Sequence, residues 1–171
     1  KLEKMDLPAH IHSTACKNFR EPQSFHFIRE ESLAILSLIE SRVFQDFPNL
    51  KIVISHAGGA IPYQVARFRG VYWVSKGLDY SFDEALRMLY YDTCIYTPES
   101  LALLFKVVGA DRCMLGTERP GDGTMKLPDG TMQDDLKPVI ENTPGLTQDE
   151  IKGILGETAK KVFTRLAGVD A

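Results

Sequence analysis

Four short apolar segments alternate along the sequence with longer segments in which apolar residues recur every three or four positions. The short segments have the length and the residue types of buried strands, which are predicted at residues 9–13, 50–55, 89–95 and 111–117. The longer segments predict helices at residues 30–47, 61–74, 99–108, 134–142 and 147–166. Leu33 and Phe47 mark the two ends of the apolar face that we expect for the first helix.

This order of elements predicts an α/β fold with a parallel sheet covered by helices, because the strands are nearly continuous hydrophobic runs. Two architectures share this order: an open doubly wound sheet and a part of a (β/α)8 barrel. No GxGxxG or GxxxxGK[ST] motif follows a predicted strand, which disfavours the nucleotide-binding form of the doubly wound sheet. The 171 residues are expected to form a single domain, residues 1–171.

Composition and charge exclude several classes of partner. With 44% hydrophobic and 25% charged residues the chain is an ordinary globular sequence, and its net charge of −3 makes a nucleic-acid partner unexpected. No apolar run approaches the roughly 18 residues that a membrane span needs. Three cysteines without CxxC spacing favour a reduced, cytoplasmic protein. Residues 1–7 are expected to be the end of an amphipathic helix, as if the chain began partway through a larger domain.

Three of the four predicted strands end near a side chain that can bind a metal or move a proton: His12, His56 and Glu118. In a parallel barrel the carboxyl ends of the strands form the active-site face, so these three side chains are expected to converge. Two imidazoles and a carboxylate are a common ligand set for zinc. Each residue alone is more often structural, and only their equivalent positions favour a joint site.

Other residues are candidates of lower weight. His26 is predicted in a loop between aromatic residues, where packing is its ordinary role. Arg67 would suit a carboxylate substrate, although most such arginines are surface charges. Tyr96 follows the third strand and either packs or donates a hydrogen bond to substrate. Cys94 and Cys113 lie within predicted strands and are expected to be inert thiols of the core.

Residues 47–63, FPNLKIVISHAGGAIPY, resemble the signature of the amidohydrolase-2 family, the decarboxylase and hydratase branch of the metal-dependent amidohydrolases. The resemblance covers residues 8–166 and implies strands five to eight of a (β/α)8 TIM barrel with their helices. Segments 66–70, 91–96 and 115–118 are similar to one member group, the 4-oxalomesaconate hydratases of aromatic-acid catabolism. In that group the acid of strand eight is Glu, as here, whereas the decarboxylases usually have Asp.

The resemblance implies roles for the three strand-end residues. His12 matches the metal ligand of strand five, His56 the acid/base of strand six, and Glu118 the acid of strand eight, which holds the metal or acts in catalysis. The expected cofactor is a divalent metal, with zinc as the first choice. The family's strand-one HxH pair has no counterpart, because the sequence after His10-Ile11-His12 resembles the unit of strands five and six. Substrate binding is expected from Arg67, Tyr96, His26 and Arg119.

The implied activity is that of a metal-dependent hydratase acting on an unsaturated polycarboxylate such as 4-oxalomesaconate. One alternative is a decarboxylase of an aromatic or related acid, with a hydrolase as a further reaction type of the same branch. An alternative of another class is a catalytically silent half-barrel that needs a partner half. The expected partners are a small-molecule carboxylate and further copies of the same chain in a homo-oligomer.

Overall fold

A computed structural model describes residues 1–16, 20–72, 77–121 and 123–166. Its strands are β1 (Ala9–Ile11), β2 (Ile52–Ile54) and β3 (Tyr90–Tyr91). Its α-helices are α1 (Gln23–Ile39), α2 (Val43–Asp46), α3 (Val65–Tyr72), α4 (Phe82–Leu86), α5 (Pro98–Val108), α6 (Lys137–Glu141), α7 (Gln148–Lys152) and α8 (Thr158–Val162). Short 3-10 turns lie at Glu3–Met5, His56–Gly58, Pro62–Gln64, Ala110–Arg112 and Thr164–Leu166.

The three strands form a parallel sheet in chain order, β1-β2-β3. His10 is opposite Val53 in the register of β1 and β2, and Ile54 is opposite Tyr91 in that of β2 and β3. The fourth predicted strand contributes a single parallel bridge, from Cys113 to Tyr91. The α/β class and the parallel sheet are therefore confirmed, while the numbering of the strands as five to eight of a barrel stays a prediction.

The two faces of the sheet have different partners. On one face Ile52, Ile54 and Tyr91 pack against helices α1, α4 and α5 in the main core, through residues such as Ile35 and Leu104. On the other face Val53 and Met114 meet α8 in a small apolar cluster and line an open cavity of about 450 Å³. Helices α1, α4 and α5 thus cover one face, whereas the other face contacts α8 and borders the cavity.

Helix α1 differs from its prediction in position and in orientation. It begins at Gln23 rather than at residue 30 and ends at Ile39. Leu33, expected on the buried face, is 49% exposed, and Phe47 is 45% exposed. The buried face presents Glu31, Ser32 and Ile35, while Ile39, which lies on the predicted apolar face between Leu33 and Phe47, is buried as expected. The periodicity of apolar residues was misleading because half of the buried face is polar, and those polar groups bind the turn after β2.

The other helices that differ from the prediction do so at their ends or at a break within them. The predicted helix 147–166 begins as expected with a capping box between Thr147 and Glu150. A π-turn at Gly153–Glu157 then divides it into α7 and α8. The predicted helix 61–74 is a 3-10 turn followed by α3, and its last two positions lie outside the described residues. Residues 1–7 contain only one 3-10 turn, so the expected amphipathic helix end is wrong.

Among the helices of the described segments, none combines the length and the apolar character that crossing a membrane requires.

Candidate active site

The structure brings His12, His56 and Glu118 together on one rim of the sheet. His12 follows β1 and His56 follows β2, and their ring centroids are 4.9 Å apart. Nε2 of His56 lies 3.4 Å from Oε1 of Glu118. All three side chains line the cavity of about 450 Å³, whose wall also includes Asp92 and Cys94. The carboxyl ends of parallel segments meet at one edge, and this places the three groups together.

The backbone at this rim is held in the left-handed region at residues that rarely adopt it. His56, Ala57, Tyr96 and Glu118 have φ values between 48° and 59°. A non-glycine residue in this region costs on the order of 1–3 kcal/mol and is retained where the surrounding structure imposes it, most often at functional sites. Of these residues, His56 and Glu118 line the main cavity, and Tyr96 lines a smaller adjoining one.

Gly59 allows the turn after β2 to approach helix α1 closely. A Cβ atom on Gly59 would lie 2.6 Å from the carbonyl oxygen of Ile28 and from Oγ of Ser32. In the native turn the amide of Ala60 donates to Ser32 Oγ at 2.9 Å. This close packing brings the buried face of α1 against His56.

Glu31 of helix α1 is a site residue that the sequence analysis missed. Its side chain is fully buried, and both of its carboxylate oxygens lie 2.8 Å from Nδ1 of His56. The pair fixes the imidazole so that Nε2 faces Glu118. The available signal was that Glu31 precedes Ile35 by four positions, which places both on the same face of a helix. The predicted helix had a different buried face, so this signal was not used.

The charge of His56 follows from its neighbours. Burial by itself lowers the pKa of His56, but the hydrogen bond to Glu31 and the negative charges of Glu31, Asp92 and Glu118 outweigh this effect. Together they raise the pKa of His56 to about 9. The imidazole is therefore protonated near neutral pH and can donate a proton from Nε2.

Glu118 is held on its other side by Tyr96. The Tyr96 hydroxyl donates to Oε2 of Glu118 at 2.5 Å, and burial together with this carboxylate raises the pKa of Tyr96. Burial and the neighbouring Asp92 likewise raise the pKa of Cys94, which stays a neutral thiol in the cavity wall. The rim therefore contains a continuous chain of contacts from Glu31 through His56 and Glu118 to Tyr96.

Asp92 organises the backbone of the site and was also missed. This buried residue accepts hydrogen bonds at Oδ1 from the amide of Ala57 at 2.9 Å and from that of Cys94 at 3.1 Å. It thereby ties the turn after β2 to the segment after β3. Asp92 lies inside the predicted strand 89–95, whereas the observed strand β3 ends at Tyr91 and leaves Asp92 directly after the strand end.

The donor set fits a divalent metal. Nδ1 of His12 lies 2.6 Å from the carbonyl oxygen of Ser13, which fixes the tautomer and leaves Nε2 available as a ligand. One ligand atom from each of His12, Glu31 and His56 lies within 4.8 Å of the others, but His56 and Glu31 are already paired with each other, so His12 is the member of this group that is assigned to the metal. Imidazole nitrogens and carboxylate oxygens are ordinary ligands of zinc and of related ions.

The remaining predicted residues lie at different distances from this rim. Tyr96 lines a smaller adjoining cavity of about 210 Å³ together with Phe27, whose ring stacks on that of His56. Arg67 is exposed on α3 and lines neither cavity. Arg119 donates two hydrogen bonds to the carboxylate of the buried Asp134, one to each oxygen. Roles of Arg67 and Arg119 in substrate binding stay predictions.

His26 is not in a loop, so its predicted setting is wrong. It lies in the first turn of α1, where its Nδ1 is 2.8 Å from Oε1 of Glu21. The prediction failed because α1 begins directly after Pro22 without a side-chain cap, so no capping residue marks its start. A role of His26 in substrate binding stays a prediction.

Comparison with known proteins gives a consistent result. The sequence model of the family described as Amidohydrolase matches residues 1–165. A 2-keto-4-carboxy-3-hexenedioate hydratase from Sphingobium sp. is 31% identical over an alignment of 173 positions, and the match covers 97% of this chain and 49% of that protein. The chain thus spans about half the length of this curated relative.

Solved structures share the fold. The crystal structure of 4-oxalomesaconate hydratase from Rhodopseudomonas palustris matches with a TM-score of 0.83 and 30% identity, over 97% of this chain and 48% of that one. A dihydroxybenzoic acid decarboxylase from Polaromonas sp., solved with bound manganese and an inhibitor, matches with a TM-score of 0.72 and 22% identity. That match covers 97% of this chain and 52% of the decarboxylase.

Proposed function

Because the match over residues 1–165 shows that this chain belongs to the amidohydrolase-2 family, we propose that it acts as a metal-dependent hydratase on an unsaturated polycarboxylate such as 4-oxalomesaconate. The observation that carries the proposal is the placement of His56 between two carboxylates, with Glu31 on Nδ1 and Glu118 near Nε2. The similar hydratases support the choice of reaction. The chain covers about half of their length, so the activity proposed is that of the whole protein.

Addition of water to a C=C bond needs one group that accepts a proton from water and another that donates a proton to carbon. Glu118 is the acceptor, because its carboxylate lines the main cavity and its Oε1 lies 3.4 Å from Nε2 of His56. His56 is the donor, because Glu31 and the other nearby carboxylates favour its protonated form. The hydroxyl group and the proton go to the two carbons of the double bond, and no other group is released.

The cycle closes without an external proton carrier. After addition Glu118 holds the proton that came from water, and His56 has lost the proton that is now on carbon. The 3.4 Å contact between Glu118 Oε1 and His56 Nε2 gives a direct path for returning the proton to the imidazole. Tyr96 donates to the other oxygen of Glu118 and so holds the carboxylate in place through the cycle.

The donor set at the rim defines the expected cofactor. His12 would be one ligand of a divalent metal, with zinc as the expected ion, and the metal would polarise a carboxylate or carbonyl group of the substrate. Glu118, predicted either to hold the metal or to act in catalysis, is the proton acceptor in this proposal. Phe27 stacks on the His56 ring, and both residues line the smaller cavity together with Cys94. A homo-oligomeric state and a cytoplasmic location remain predictions from the sequence.

The test is an assay of the purified protein, loaded with zinc or manganese, against a panel of unsaturated polycarboxylates and hydroxybenzoates. We expect loss of the conjugated double bond and formation of a hydroxy acid from 4-oxalomesaconate, without release of CO2. Release of CO2 from a hydroxybenzoate, with no hydration, would assign the chain to the decarboxylases. Absence of both reactions in the metal-loaded protein would favour a silent half-barrel that needs a partner half.

A further inference from the structure

A second cluster of metal-binding side chains lies where the loop after β1 meets the first turn of α1. Cys16, Glu21 and His26 each offer one ligand atom, and the three atoms lie within 4.8 Å of one another. All three residues are partly buried. None of the three lines either cavity of the candidate active site. The cluster is therefore a separate group of one thiol, one carboxyl and one imidazole.

We propose that Cys16, Glu21 and His26 form a second metal site for a zinc-type divalent cation, with structural rather than catalytic effect. Thiolate and imidazole are the ligands that zinc selects most often, and a carboxylate oxygen is an ordinary third ligand. Zinc–ligand bonds of about 2.0–2.3 Å in tetrahedral geometry place ligand atoms roughly 3.3–3.8 Å apart. The ligand atoms lie within 4.8 Å of one another, so the distances from Cys16 need to shorten by at most about 1–1.5 Å, while the 2.8 Å contact between His26 and Glu21 lengthens by about 0.5–1 Å.

The present hydrogen bonds show what the metal replaces. Nδ1 of His26 and Oε1 of Glu21 are 2.8 Å apart and share a proton. Metal binding displaces this proton and the thiol proton of Cys16, because ligands bind in their deprotonated forms. Arg29 donates from Nε to the other oxygen of Glu21 at 3.2 Å and can keep that bond. Arg29 also donates from Nη2 to Oε1 of Glu21 at 2.8 Å, and this Nη2 lies 3.4 Å from Nδ1 of His26, so metal binding would displace these contacts as well, and their loss lowers the affinity of the site.

The location of the cluster gives the bound ion a structural effect. The loop that holds Cys16 begins directly after His12, and the amide of Cys16 already donates to Gln23 of α1 at 3.2 Å. Helix α1 also carries Glu31, which holds His56. A metal ion would therefore fasten the loop behind His12 to the helix that positions His56.

The experiment uses Co²⁺ as the probe in a His12→Asn background, which removes a ligand of the candidate active-site metal. We expect the metal-free protein to bind one equivalent of Co²⁺ with a thiolate-to-cobalt charge-transfer band in the near ultraviolet. Adding Cys16→Ser should abolish the band, whereas Cys94→Ser, which alters the thiol of the active-site cavity, should leave it unchanged. His26→Gln should weaken Co²⁺ binding by more than the 10–100-fold typical of lost outer-shell partners.

Two results would overturn the proposal: no thiolate band in His12→Asn protein with native circular dichroism, or a band that survives Cys16→Ser. A second measurement on the unaltered protein covers the case in which a variant does not fold. Zn²⁺ should slow alkylation of Cys16 by iodoacetamide at least about tenfold, as mapped by mass spectrometry, and an unchanged rate would contradict the site. Neither measurement depends on hydratase activity, so failure of one proposal leaves the other standing.

Discussion

Two histidine–glutamate pairs each include one residue of helix α1. Both pairs have the same kind of contact, from Nδ1 of the histidine to the carboxylate, but their surroundings differ. In the first, Nδ1 of His56 is 2.8 Å from Glu31, and the two side chains are 8% and 0% exposed. In the second, Nδ1 of His26 is 2.8 Å from Glu21, and the side chains are 13% and 16% exposed. Arg29 also binds Glu21.

The difference shows how surroundings decide what the same pair of side chains can do. Around His56 the nearby charges are carboxylates, so the pKa of His56 rises to about 9 despite burial. At the second pair, hydrogen bonds from Arg29 and then from His26 lower the pKa of Glu21. The buried pair holds a proton on an imidazole that faces the cavity. The outer pair keeps a carboxylate ionised and able to bind a cation.

The largest expected effect comes from the imidazole of the buried pair. His56→Asn should keep the fold and the bound metal but lower kcat by roughly 10²-fold or more, because it removes the acid/base group. His12→Asn should instead lose metal. Zinc content and turnover measured on both variants separate the two roles, and loss of metal in His56→Asn would contradict the acid/base assignment.

Glu31 should act through His56, and Glu21 provides the matched control. Glu31→Gln should lower kcat by about 10–100-fold with little change in KM, the usual scale for losing an outer-shell partner. The alkaline limb of the pH–rate profile should move to lower pH, since His56 loses the carboxylate that raises its pKa. Glu21→Gln should leave kcat within about twofold, because its ion pairs are partly exposed. Equal effects of the two substitutions would refute the comparison.

Gly59 tests the close approach that makes the buried pair possible. Gly59→Ala places a methyl group 2.6 Å from Ile28 and Ser32 at a φ of +63°, so we expect a loss of about 1–3 kcal/mol or more in the free energy of unfolding. Gly70→Ala in α3 meets no atom within 4 Å and should stabilise by about 0.5–1 kcal/mol. Urea unfolding of both variants measures the difference, and equal stabilities would show that the turn is not tightly packed on α1.

The smallest expected effect concerns Asp134, a buried carboxylate whose partner is an arginine. Hydrogen bonds from Arg119 and Thr124 outweigh burial and lower the pKa of Asp134. The pair therefore stabilises the fold above the unfolded pKa of about 3.9, and this contribution is lost as the pH falls through the lower folded value.

Arg119→Met should remove this acid-dependent part of the free energy of unfolding, measured with urea between about pH 6 and pH 3. The control is Arg69→Met, which breaks an ion pair with Asp83 that is half-exposed on both sides. It should change stability by less than about 1 kcal/mol at any pH. A steeper acid dependence in Arg119→Met than in the unaltered protein would contradict the assigned direction of the pKa shift.

The sequence by itself determined the class of fold and which three strand-end side chains lie together at the rim. The alternation of short apolar runs with helical periodicity predicted a parallel sheet, and β1, β2 and β3 have that arrangement. The segment around His56 resembled one family, and the match over residues 1–165 confirms it. These properties were accessible because periodicity and motifs are encoded by residues that are close in sequence.

Only the tertiary structure decided which polar groups act together. Glu31 and His56 are 25 positions apart, and His56 and Glu118 are 62 apart. Helix α1 was placed incorrectly because a search for apolar periodicity passes over a buried face that carries Glu31 and Ser32. Polar residues are buried where a distant partner satisfies them. That partner is set by how the turn after β2 packs on α1, which local sequence patterns do not encode.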